Sequence, residues 1–205
     1  MVLDLFKREK PTYWTDEGLE QERLHLMPGT AFAILANLSH DDSVKTRDAL
    51  RAAKTVETVS FLLKHDNVFG LLALLIVANI EGMEEKKSRA SPEHMKRLCD
   101  LLKHVQEDAS GAETYNMVWS LQELLLPLKN LSLSEANKHH LIPAVPTLLT
   151  ILGRYDERKL MDATALAAET LVSLSFEPSV RQLLKEADAR QVVEEVAGQD
   201  INKAL

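Results

Sequence analysis

The sequence predicts an all-α chain folded as a right-handed superhelical solenoid of about four repeats, and three observations lead there. No sustained apolar–polar alternation and no Asn-Gly or Asp-Gly hairpin signal stands anywhere in the chain. Aromatics make up only 5% while Leu and Ala are abundant, which suits helices that interdigitate better than a pleated sheet. One helical phrase also recurs: LANLS at Leu35–Ser39, VANIE at Val77–Glu81, LKNLS at Leu128–Ser132 and LVSLS at Leu171–Ser175. With Leu38, Ile80, Leu131 and Leu174 as markers, the copies lie 42, 51 and 43 residues apart; a period of roughly 40–47 belongs to two- and three-helix solenoids, and the longer middle interval absorbs the Gln106–Ala112 loop as an insertion. Units that cannot close a core alone must bury their apolar stripes on one another.

The elements follow in order. Residues 1–29 read as an N-terminal arm or capping segment, carrying Lys7, Arg8, Lys10 and Trp14, and Pro28-Gly29 is expected to interrupt any earlier helix. The repeat domain is then 30–205, and its first helix starts at Thr30. Across Val44–His65, Leu50, Ala53, Val56, Val59, Leu62 and Leu63 form an amphipathic stripe of one helix or two fused ones. Val68–Ile80 is apolar all round, as an enclosed helix would be. Ser91-Pro92-Glu93 sets a hydroxyl N-cap before a first-turn proline, opening a helix with Met95, Leu98, Leu101, Leu102 and Val105 on one face.

Ser110 and Glu113 stand at capping-box spacing before the run Tyr115–Leu131. Pro127 inside that run is expected to kink or break its helix and to leave the Glu123 carbonyl without a helical donor. Ser134-Glu135 opens a short helix ended by Pro143, Pro146–Leu152 is the next, and Gly153 closes it. Asp156–Ser175, a helix started by Pro178, and Ala189–Ala197 complete the series.

Composition narrows the function. A net charge of −7 disfavours nucleic-acid binding, which depends on neutralising phosphates. Cys99 is the only cysteine, so there is no intrachain disulfide and no cysteine-based zinc site. The run Val68–Ile80 is too short to span a bilayer, and Met1–Lys10 lacks the apolar core of a signal peptide. A cytoplasmic location follows as the expectation, with nuclear residence compatible, no membrane insertion and oligomeric state open.

Catalytic and cofactor chemistry is not expected. His94, Cys99 and His104 have the look of ligand spacing, but on a helix five-residue steps turn successive side chains ~140° apart. They read as a solvent-side histidine pair and a core cysteine. His139-His140 have no acidic partner at a useful spacing, and no GxSxG, HExxH or glycine-rich phosphate loop is present. No metal, cofactor or catalytic residue is assigned.

The recurring phrase resembles the armadillo repeat, whose third helix ends in an ALxNL-type phrase before a polar turn. The third copy carries it best, with LKNLS, then Ser134–Ile142 including Asn137, then IPAVPTLLTIL. The resemblance covers about 30–198. It implies a protein–protein scaffold or adaptor whose third-helix Asn residues line a concave groove and bond the backbone of a partner segment. By the matching positions these are Asn37, Asn79 and Asn130, with Ser173 in the fourth copy. The same residues could instead bond neighbouring backbone at helix ends. The nuclear-import branch has Trp four residues before each Asn; here those positions hold Ala33, Leu75, Leu126 and Glu169, so no stacking of a basic import signal is expected. Residues one and two turns before the Asn positions share their face, which adds Leu72, Leu75, Glu123, Leu126 and Glu169 to the expected groove. Its partner would be an apolar and basic peptide segment. The alternatives are a HEAT-like regulatory or oligomerising module that uses edges and loops, a fragment of a longer repeat protein, and a helical-repeat enzyme.

Overall fold

A polar side chain in front of an apolar run decides where several helices of this chain begin. The computed structural model describes residues 27–41, 43–82, 90–107, 112–114, 117–154 and 161–189. Ten α-helices stand among them: α1 Met27–Ser39, α2 Val44–Ala52, α3 Thr55–Val59, α4 Val68–Glu81, α5 Pro92–Glu107, α6 Leu121–Ser132, α7 Glu135–Lys138, α8 Val145–Leu152, α9 Met161–Leu174 and α10 Pro178–Glu186. Short 3₁₀ turns at Ser60–Lys64 and His139–Ala144 continue α3 and α7.

The fold is mostly helical, with one departure from expectation. Ala112–Thr114 (β1) and Met117–Trp119 (β2) form an antiparallel ribbon with Ala112 opposite Trp119 and Thr114 opposite Met117. The run Tyr115–Leu131 is therefore not one helix. Its helical part starts at Leu121 behind a capping box of its own: Ser120 Oγ accepts from the Glu123 N–H at 3.3 Å, and the Glu123 carboxylate accepts from the Ser120 N–H at 2.7 Å. Glu113, expected in a cap, lies instead in β1, and Ser110 lies outside the described residues.

Other boundaries shift for local reasons. Pro28 and Gly29 belong to the first turn of α1, where the missing proline N–H costs nothing, so the first helix begins inside the segment expected to be an arm. The rest of that arm, Trp14 included, lies outside the described residues, as do residues 190–197. The stripe of Val44–His65 is divided at Lys54, which has a left-handed φ of 56°. Ser43 caps α2 by accepting from Thr46, and Asn67 caps α4 by accepting from Phe69 and Gly70. Helix α6 runs through Pro127 without a break. Proline's ring lies in the core, and Glu123, whose carbonyl loses its helical donor, is half-buried.

At the centre of the core is α4. Every residue from Val68 to Ile80 is buried, enclosed by α1, α2, α3, α5, α6 and the first 3₁₀ turn. Next to it, α6 packs on α5 and α9, and α8 packs on α5 and α9. Helices α1, α4, α6 and α9, which carry the recurring phrase, thus pack in chain order, α1 on α4, α4 on α6 and α6 on α9.

Two close approaches fix how α4 sits. His94, in the first turn of α5, is 1% exposed, and its Nε2 donates to the His65 carbonyl at 2.7 Å. It is a buried clasp and not the solvent-side histidine expected. The clasp needs Gly70: a Cβ there would stand 1.9 Å from the His65 oxygen and 2.5 Å from His94 Nε2.

Candidate functional site

Helices α6 and α9 lie side by side in one register, held by polar pairs along their length. Gln122 Nε2 donates to Asp162 at 3.0 Å, Lys129 Nζ bridges to Glu169 at 2.5 Å, and Ser173 Oγ donates to the Ser132 carbonyl at 2.8 Å. On α6, Leu124, Leu125, Leu128 and Leu131 are buried in the core, while Glu123, Leu126, Lys129 and Asn130 are half-buried and Gln122 is exposed. On α9, Ala163, Ala167, Thr170 and Leu174 are buried. Ala165, Glu169 and Val172 are exposed and Ser173 is half-buried. Of the nine residues expected to line a groove, Glu169 and Ser173 take part in the α6–α9 pairs, and Glu123, Leu126 and Asn130 are half-buried on α6.

The remaining four do not join them. Leu72, Leu75 and Asn79 are 3%, 2% and 3% exposed; α4 is enclosed on every side, so these three side chains cannot line an open groove. Asn79 instead ties α4 to the end of α1. Its Nδ2 donates to Ser39 Oγ at 3.3 Å and lies 3.4 Å from His40 Nδ1, while its Oδ1 is buried without a hydrogen-bond partner among the described residues. This is neither the groove role nor the bonding of neighbouring backbone: both contacts go to side chains at the end of another helix. Asn37 is exposed on α1, on a face with Ile34 and Leu38, which are 42% and 45% exposed. Leu38 therefore differs from its counterparts Ile80, Leu131 and Leu174, each fully buried.

Charge shows how the two helix pairs meet. Burial pushes the His40 imidazole below the usual histidine range, and the Glu123 carboxylate acts against that shift. Glu123 is in the first turn of α6 and His40 follows the last turn of α1, and the two are close enough to interact electrostatically. Within each pair the ends match: α1 meets α4 at their last turns, and α6 meets α9 throughout. An Asn file running evenly through four helices is not formed.

Burial, reinforced by Asp100, pushes the Cys99 thiol up to about 12, the Ala144 backbone opposing, so it is no nucleophile. His139 and His140 stack with centroids 3.6 Å apart. No cluster of metal-ligating side chains occurs among the described residues, and none of their helices is long and apolar enough to cross a membrane. Sequence reasoning did miss Gln122, Lys129 and Asp162, which pair α6 with α9. Their signal was there: Gln122 and Asp162 are forty residues apart, as are Lys129 and Glu169, close to the repeat period. The chain matches no protein-family model, no curated protein and no solved structure.

Proposed function

We propose that the chain is a non-catalytic protein-interaction scaffold, built as an armadillo-like right-handed array, that takes a partner segment on the α6–α9 surface. What supports the array is the packing of the four phrase-bearing helices in chain order. The single observation that carries the binding surface is the pairing of α6 and α9 through Gln122–Asp162, Lys129–Glu169 and Ser132–Ser173, with Leu126 and Asn130 left partly open beside it. A rigid floor with aliphatic and amide groups at its surface, and carboxylates Glu123, Asp162 and Glu169 around it, complements an apolar and basic segment.

A screen of basic–apolar peptides tests this. Because Glu123 caps α6, the charge variant is Glu169→Arg with Glu123→Gln, which keeps a capping acceptor. Binding that weakens in this variant and falls with salt supports the surface; equal affinities for wild type and variant would rule it out. A second reading, association of copies, draws on exposed Ile34 and Leu38 on α1, and sedimentation over a concentration range tests it.

A further inference from the structure

We infer that the segment held on this surface is an amphipathic helix with basic flanks, docked along α9, and not an extended peptide. The inference rests on the scaffold reading above and changes its mode of recognition. Holding an extended chain by its backbone needs a file of free amides. Here Asn79 is buried and bonded toward Ser39 and His40, the Ser173 hydroxyl donates to the Ser132 carbonyl, and Asn37 belongs to the separate α1–α4 pair. Asn130 is left as the one amide of the file on the paired surface.

What α9 offers in its place is apolar and helically spaced. Met161, Ala165 and Val172, with Phe176 just past the helix, lie on the side opposite buried Ala163, Ala167, Thr170 and Leu174. Met161, Val172 and Phe176 are 62%, 64% and 67% exposed. Steps of four and seven residues place Met161, Ala165 and Val172 in one stripe, as one helix presents itself to another. The stripe is about 16 Å long at ~1.5 Å per residue, matching a partner helix of about eleven residues.

Charge selects the occupant. Asp162 and Glu169 border the stripe toward α6, with Glu123 beyond; of the cations described beside it, Lys129 is paired with Glu169, and Lys138, 5.2 Å from the centroid of the Phe176 ring, is paired with Glu135. A second copy of this chain would bring that acidic border against itself. A helix with Lys or Arg beside its apolar face meets it with opposite charge.

The probes are two labelled synthetic sixteen-residue peptides of Leu, Ala and Lys with identical composition apart from one central Ala→Pro exchange. The parent places Leu in a helical stripe flanked by Lys; both are titrated onto the intact chain by fluorescence anisotropy. The parent should bind, the proline peptide at least ~10-fold more weakly, and Ala165→Arg with Val172→Arg should weaken the parent by at least ~10-fold. Asn130→Ala should change affinity less than ~2-fold. Both arginine sites are exposed, and circular dichroism checks that the variant is folded; a photo-crosslinker on the parent, which needs no variant, should label residues 161–176. Equal binding of both peptides together with a large loss in Asn130→Ala overturns the helix and leaves the scaffold standing. Parent binding that ignores the arginine pair, or crosslinks outside α9, overturns the site. Self-association abolished by the arginine pair overturns the occupant in favour of a second copy. No binding of either peptide, with the peptide screen also negative, overturns both the inference and the scaffold.

Discussion

At Gly70 the space for a side chain is already taken by the His65 carbonyl and the His94 ring. An added methyl would have to displace backbone on one side and a buried hydrogen bond on the other. Gly70→Ala should therefore destabilise the chain by about 3 kcal/mol, the upper end for overpacking, seen as a lower urea midpoint at unchanged slope. An unchanged midpoint would show that α4 can move away from the clasp. None of this was legible: a lone glycine in an apolar run looks like any small core residue, and the close approach exists only once α5 returns to the start of α4. His40 makes a second prediction. Its folded-state pKa lies below the ordinary 6.5 because burial disfavours the cation. The unfolded chain then binds more protons below pH 6.5, so this contribution is full above that value and is lost as the pH falls from it toward the lower folded value. His40→Gln should show a shallower fall in stability than wild type between about pH 7 and 5. Identical slopes would remove His40 from the acid response.

Among the elements, those whose signals are local were readable from the chain. Val68–Ile80 is apolar on every side and is enclosed on every side; Ser91 accepts from His94 N–H at 3.1 Å as an N-cap should; Gly153 follows α8. The start of α6 was not, because two Ser-x-x-Glu sequences, Ser110–Glu113 and Ser120–Glu123, compete before one apolar run. The second lies directly against Leu121, Leu124 and Leu125, whose burial fixes the choice, and the residues between become a ribbon that buries Trp119. Ser120→Ala should cost about 1 kcal/mol, and Glu123→Ala somewhat less than a full cap. A double-mutant cycle by thermal unfolding should give non-additive losses, since both residues serve one box. Strict additivity would mean that the two hydrogen bonds act apart.

For the whole molecule, the helical class was legible and the way the phrase-bearing helices meet was not. A period counts residues between copies; it does not say which end of α6 approaches α4. The longer interval between the second and third copies marked the right place as irregular, yet gave no sign that the groove residues of α4, Leu72, Leu75 and Asn79, would be closed in. Of the nine expected site residues, Glu169 and Ser173 take part in the α6–α9 pairs, and Glu123, Leu126 and Asn130 follow one another on α6 at helical spacing. The Lys129–Glu169 bridge between these helices is half-exposed at best, so Glu169→Gln should leave stability within about 0.5–1 kcal/mol of wild type, measured by urea unfolding. A larger loss would make the bridge a structural lock and not a surface pair.

The complete enclosure of α4 also shapes what happens when the chain is not folded. VFGLLALLIVANI has no charge, no proline and no polar face, so an unfolded or half-made chain presents thirteen consecutive residues with nothing to deter contact with a neighbour's. Every other helix can keep some water-facing side during folding; this one cannot. Recovery after dilution from urea should accordingly drop as protein concentration rises, with turbidity in place of the lost signal. During synthesis the same segment emerges before α5, α6 and the rest of its cover exist. The cell then has to shield it for the time ribosomes take to add some fifty further residues, a few seconds at ~5–20 residues per second, which makes this stretch a natural client for holding chaperones.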